Sequence, residues 1–247
     1  MGKTARPDEI FAEFTENYTN IYGNDLAAII LYGSGAGGDY QPGKSDLNFL
    51  IVLAESVIDR LDRALTIVSK WRKRGVSVPL FMTKAYIQSS LDSFPLEFLT
   101  MKHQYVLVSG EDVLANLALE PHHVRLQCER EIKGKLILLR EGFLGTEGNE
   151  KRIKALIASS ITAFISIFHG ILFLKNRGIP TTRREIVRAV ADELAFDSGV
   201  FTECLDVKEG GKKFSSTEIN DLFIRYVTEV RKLWELVDTM ETKNEEV

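Results

Sequence analysis

Residues 31–53 read LYGSGAGGDYQPGKSDLNFLIVL. Three arrangements able to hold phosphate overlap in this stretch. Gly33, Gly35 and Gly38 have the G-x-G-x-x-G spacing of a dinucleotide turn. Gly38, Gly43, Lys44 and Ser45 have the G-x-x-x-x-G-K-S spacing of a P-loop. Gly33-Ser34, followed by Asp46 and Asn48, offers a third chemistry. There a tight turn presents backbone N–H groups and the Ser34 hydroxyl to a triphosphate, and two oxygen-bearing side chains meet the metal ion that the triphosphate carries. The flanking elements decide among the three.

A dinucleotide turn needs a helix that opens inside the glycines, because the pyrophosphate rests on that helix's N-terminus. Asp39-Tyr40-Gln41-Pro42-Gly43 interrupts any such helix. A P-loop needs Lys44 and Ser45 to open a helix, but DLNFLIVL follows, short and rich in β-branched and aromatic residues, which predicts a strand. The third chemistry needs a strand, Gly-Ser, a connection, and a second strand that begins with spaced ligands. That order is present: DLAAIILY at 25–32 predicts the first buried strand and LNFLIVL at 47–53 the second. Residues i and i+2 of a strand share a face, so Asp46 and Asn48 address one ion. Glycines in the turn let the backbone approach a phosphate closely.

The remaining elements must hold this pair of strands. Residues 7–22 predict a helix, with Pro7, Asp8 and Glu9 in its first turn and an apolar stripe of Ile10, Phe14, Tyr18 and Ile21. Residues 55–74 predict a helix that turns Val57, Leu61, Leu65, Val68 and Trp71 inward and ends at Gly75. VSVPLFM at 76–82 predicts a third strand, in which Pro79 requires an edge position or a bulge. Thr83 predicts the cap of a short helix over 84–91, and 105–108 a last short strand. Beyond Glu120 the apolar period becomes helical, over about 122–143, 150–176, 182–195 and 216–240. Thr182-x-x-Glu185 and Ser215-x-x-Glu218 are capping boxes that fix two of those starts. The expectation is an α+β chain: a mixed sheet with helices over 1–117, a helical bundle over 118–240, and a disordered tail over 241–247.

The central stretch resembles the nucleotidyltransferase superfamily, of the DNA polymerase beta-like and kanamycin nucleotidyltransferase-like fold. The family pattern runs h-h-G-S-x-A-x-G, a connection, then S-D-h-[DE]-h-h-h. Gly33, Ser34, Ala36, Gly38, Ser45, Asp46, Leu47 and the apolar run 49–52 match it. The helical half resembles, in architecture alone, the bundle that follows this domain in kanamycin-type enzymes. The resemblance implies an NTP held with Mg²⁺, with Gly33, Ser34, Gly38, Lys44 and Ser45 binding the nucleotide and Asp46 and Asn48 as metal-binding and catalytic positions. It implies transfer of a nucleoside monophosphate to a hydroxyl of a small molecule or protein.

In that family three carboxylates hold two Mg²⁺ ions for in-line displacement. Here Asn48 takes the second position, and an amide oxygen brings no charge. The third strand contains no acid, so a third carboxylate would have to be recruited from Asp39, Asp92 or Glu97. The arginines often found at the positions of Gly35 and Gly37 are missing. The expectation is therefore a nucleotide-binding protein with weak, nucleotide-dependent Mg²⁺ binding and weak or lost transfer. The alternatives are an active transferase with a recruited acid, and a helical interaction module on an inert scaffold.

Net charge is −4 and pI about 5.7, so no global basic field draws nucleic acid. SKWRKRG at 69–75 reads as a helix C-terminus whose cations complement the dipole. Arg183, Arg184 and Arg188 read as a solvated face, and the adjacent His122 and His123 diverge on a helix start. Cys128 and Cys204 form no metal or disulfide spacing, which suits a reducing cytoplasm, and the N-terminus lacks a secretory apolar core. Residues 155–174 are long and apolar enough to span a bilayer. Ser159, Thr162, Ser166 and His169 nevertheless form a stripe at helical spacing, which predicts a bundle helix and no membrane.

Overall fold

The computed structural model describes residues 4–37, 40–42 and 45–241. Gly38, Asp39, Gly43, Lys44 and the end of the tail therefore lie outside the described residues. The chain divides into two compact units, Met1–Asp92 with Phe98–Ala118, and Ser93–Glu97 with Leu119–Val247.

The first unit is built on a four-stranded mixed sheet. Strand β1 (Leu26–Tyr32) lies between β2 (Asn48–Leu53) and β4 (Tyr105–Gly110), antiparallel to both, and β3 (Leu80–Met82) runs parallel to β2 at the edge. Ile29, Leu31, Phe49, Ile51 and Leu53 face a core completed by Phe14 and Tyr18 of helix α1 (Phe11–Tyr22) and Trp71 of α2 (Leu65–Arg72). The Phe14 ring stacks on Phe49 at 4.1 Å and meets Trp71 edge-on at 5.1 Å. Ala28, Ile30, Leu50 and Val52 on the opposite face are also buried. Burial on both faces explains why both strands read as unbroken apolar runs.

The strand expected over 76–82 is shorter: Val76 makes an isolated bridge, 77–79 lie outside any strand, and Pro79 immediately precedes β3. Strand β3 is an edge, and the register slips by one residue between the Leu47↔Val76 bridge and the Leu50↔Leu80 pair. The predicted helix over 55–74 needs correction. Residues 55–59 form turns, a 3₁₀ turn covers Leu61–Ala64, and the α-helix begins at Leu65. Leu61 and Leu65 are exposed, Leu65 at 69%, while Ala64 and Trp71 point inward. A 3₁₀ turn advances each residue further than an α-turn. A stripe drawn for one continuous α-helix therefore puts the first turn out of phase. The basic run that follows is tied down: Lys70 and Arg74 both bind Glu13 of α1 at 2.6 Å, and the Arg74 guanidinium lies 4.2 Å over Trp71.

Two short helices occupy the chain between β3 and β4. Thr83 caps α3 (Lys84–Ser89), its hydroxyl accepting the Tyr86 N–H, and α4 (Pro95–His103) follows. The second unit packs α5 (Pro121–Gly145), α6 (Glu150–Leu174), α7 (Arg183–Leu194), α8 (Ser198–Glu209) and α9 (Ser216–Asp238) around one core. Phe164, Phe201 and Tyr226 meet edge-to-face at 5.5–5.8 Å near its centre.

Helix α6 is the one helix among the described residues long and apolar enough to cross a membrane. In this fold ten of its residues are buried in the bundle core. Its polar stripe runs from exposed Ser159 and Thr162 to buried His169, and Thr162 receives the Lys208 ammonium. Arg184 binds Asp206 and Glu209 at 2.7 Å, so it belongs to a salt-bridged surface.

Both capping boxes form as their spacing requires. Ser215→Ala removes the acceptor of the Glu218 N–H and the fixed start of α9. It is expected to cost about 1 kcal/mol, read as a lower urea midpoint with unchanged slope.

Candidate functional site

The Gly-rich segment connects β1 to its immediate neighbour β2, with no helix after Ser45. Tyr32, the last residue of β1, pairs with Asn48 on one side and with Tyr105 on the other. The chain then turns through a 3₁₀ turn, Gly33–Gly35, closed by Ala36 N–H donating to the Gly33 carbonyl at 2.9 Å. Gly33 has φ +72, a conformation that a side chain strains. Its N–H donates to the Gln104 carbonyl at 3.0 Å. That backbone donor is therefore engaged within the fold, and the turn offers fewer N–H groups to a ligand than its sequence suggests.

The start of β2 is extended. Leu47 donates to the Gly75 carbonyl and accepts from the Ser77 N–H, both at 2.9 Å, and its side chain is buried in the core. Asp46 and Asn48 on either side therefore point to the opposite face, Asp46 exposed and Asn48 half-buried. The Asn48 amide nitrogen lies 3.8 Å from the place a Cβ on Gly33 would occupy. Asn48 thus sits against the Gly-Ser turn, with Asp46 one step further out on the same face. Neither side chain makes a hydrogen bond or ion pair with another described residue. Ser45 closes a local turn: its N–H donates to the Gln41 carbonyl at 2.8 Å and its hydroxyl accepts the Gln41 N–H at 3.2 Å. Gly38 and Lys44, the other expected nucleotide contacts, lie outside the described residues.

Three residues that the sequence did not single out shape the site. Tyr40 donates to the Thr4 carbonyl at 2.8 Å, and its phenol is pushed above its usual range, first by burial and then by the nearby Asp46 carboxylate. Burial likewise pushes up the Tyr32 phenol. Gln104 lies over Gly37, where an added Cβ would sit 2.5–2.7 Å from its carboxamide atoms. At Gly35 an added Cβ would sit 2.8 Å from Leu47 Cδ2 and 3.2 Å from Leu31 Cδ1. Larger side chains at positions 35 and 37 would thus need their neighbours to move. No local pattern in the sequence marks the contacts of Tyr40 with Thr4 and of Gly37 with Gln104, because each joins residues far apart in the chain.

Among the described residues, no group of three His, Cys, Asp or Glu side chains could hold a metal ion. Glu97 accepts from Gln127 Nε2 at 2.7 Å and belongs to the helical unit, while Asp92 belongs to the sheet unit. Asp39 is outside the described residues. The local donor set is one carboxylate and one amide oxygen. It suits a Mg²⁺ ion that completes its shell with water and phosphate oxygens, and it is poor for a resident ion.

No family model matches this chain. No curated protein matches it either. Among solved structures, the chain is similar to the crystal structure of spectinomycin adenyltransferase AAD(9) from Enterococcus faecialis with ATP and spectinomycin. The TM-score is 0.54 and the identity 13%, over 92% of this chain and 99% of that chain. The fold is accordingly α+β and nucleotidyltransferase-like, a mixed four-stranded sheet with a helical C-terminal region. At that identity the likeness concerns the fold alone.

Proposed function

We propose that this protein binds a nucleoside triphosphate with Mg²⁺ at the Gly33–Gly35 turn and the start of β2, and that it transfers weakly or not at all. The observation that carries this reading is the placement of Asn48 against Gly33 at paired strand ends, with Asp46 on the same face. Gly33 permits close approach of the turn, Ser34 contributes a hydroxyl, and Asp46 supplies the one negative charge. A bound Mg²⁺ would neutralise triphosphate charge; Asp46 and Asn48 are the residues that would hold it. Transfer is expected to be weak because a displacement that relies on three acids finds one in this donor set. The two cysteines are buried and free, in keeping with a reducing cytoplasm.

The test is titration of the protein with ATP and GTP, with and without Mg²⁺, alongside pyrophosphate release. Saturable Mg²⁺-dependent binding without turnover is expected; absence of binding by either nucleotide overturns the reading. Mg²⁺ alone is expected not to saturate the protein below the millimolar range, because one carboxylate is a poor cage for an ion that dehydrates reluctantly. Calorimetry decides this, and low-micromolar binding would mean that further acids complete the site.

A second reading is transfer to a hydroxyl on a small-molecule or protein acceptor. Its support is that the fold likeness to the adenyltransferase extends through nearly the whole chain, helical unit included. Pyrophosphate release that rises when an acceptor is added would select this reading over the first.

A further inference from the structure

We propose that the Gln104 carboxamide, which lies against the Gly33–Gly37 loop from outside it, donates to the polyphosphate of a bound nucleotide alongside the Ser34 hydroxyl. This rests on the reading of that loop as a nucleotide site. Gln104 lies between α4 and β4 and touches the loop at both ends. Its carbonyl accepts the Gly33 N–H, and its carboxamide lies against the bare Cα of Gly37. Position 37 therefore carries no side chain, and the Gln104 amide occupies that volume.

Three other polar groups near the loop are already engaged. Tyr40 Oη donates to the Thr4 carbonyl, Tyr105 Oη donates to Asp112 at 2.9 Å, and Ser45 Oγ accepts from Gln41. The half-buried Gln104 carboxamide makes no hydrogen bond with any described residue. Its nitrogen carries two donors, and a polyphosphate only accepts. Such a donor adds a charge-assisted bond without the desolvation cost of a cation.

Gln104→Glu keeps the shape of the side chain and replaces its donor with a carboxylate. Gln104→Met keeps length and packing and removes the donor. For both, affinity is measured for MgATP and for Mg-tripolyphosphate, with the thermal midpoint as a check on folding. Each variant is expected to fold and to lose affinity for both ligands by about tenfold or more, Gln104→Glu the most. A purely structural role would move the midpoint and spare the affinity of Gln104→Met. If the wild type binds and Gln104→Met binds equally well, this inference falls while the nucleotide site stands. If the wild type binds neither ligand, the site reading itself has failed, and the role of Gln104 with it.

Discussion

Asp46→Ala is expected to abolish the Mg²⁺-dependent part of nucleotide binding and leave the fold intact. Asp46 is exposed and its side chain makes no hydrogen bond or ion pair with a described residue, so its removal breaks no such bond among them. It is also the single charged member of the donor set beside the Gly-Ser turn. Losing a charge-assisted contact of this kind costs about 2 kcal/mol, or roughly thirtyfold in affinity. The loss should disappear when the comparison is made in EDTA, because Asp46 acts through the ion. Asn48→Asp is the matching gain. It places a second carboxylate on the same face and should tighten MgATP by a similar factor, while pyrophosphate release stays low for want of a third acid. The measurement is affinity with and without Mg²⁺ for the wild type and both variants. A wild type that turns over readily and is slowed by Asn48→Asp would show Asn48 to be part of a working site.

The largest stability effect is expected at Gly110. This residue ends β4 with φ +84, pairs with Ala28, and lies so close to the neighbouring strand that a Cβ would overlap the Ala27 carbonyl oxygen. The same oxygen accepts the Glu111 N–H at 3.0 Å. Relief by backbone movement would therefore break the ladder that holds β4 on β1. Gly110→Ala is expected to cost about 3 kcal/mol or more, from left-handed strain plus the backbone clash. Gly210 is the control. It has φ +71 at a helix C-terminus and nothing within 4 Å of an added Cβ, so Gly210→Ala should cost only about 1 kcal/mol. Urea unfolding of the two variants separates strain from collision; equal losses would show that the strands part easily.

Features governed by near neighbours were legible in the sequence. The two capping boxes, Thr83 and the apolar runs of β1 and β2 each act within a few residues, and each took its expected place. Helix α8 was missed although Asp197 caps it and Gly210 ends it, because its inward residues Val200, Phe201, Cys204 and Leu205 span little more than one turn. Helix α4 was missed despite Pro95 at its start and Lys102 and His103 in its last turn. The phase of α2 was lost to a 3₁₀ turn that leaves no mark in composition. At the site, the Gly-Ser turn and the shared face of Asp46 and Asn48 followed from strand periodicity. The engagement of Gly33 by Gln104 did not, since the two residues are neighbours only through the sheet.

The chain path has a consequence for dissection and for synthesis. Ser93–Glu97 belongs to the helical unit, and then Phe98–Ala118 returns to supply β4. Leu96 closes over the bare Cα of Gly170 on α6 beside Cys128, and its N–H donates to Gln127 at 2.8 Å. A cut after Ala118 would therefore take a plug out of the helical core, and a cut after Asp92 would strip the sheet of an edge strand. Neither half can be released whole by a single scission. On the ribosome, Leu96 emerges well before the helices that shelter it, so this apolar residue must wait, uncovered, until the chain has been made as far as Gly170.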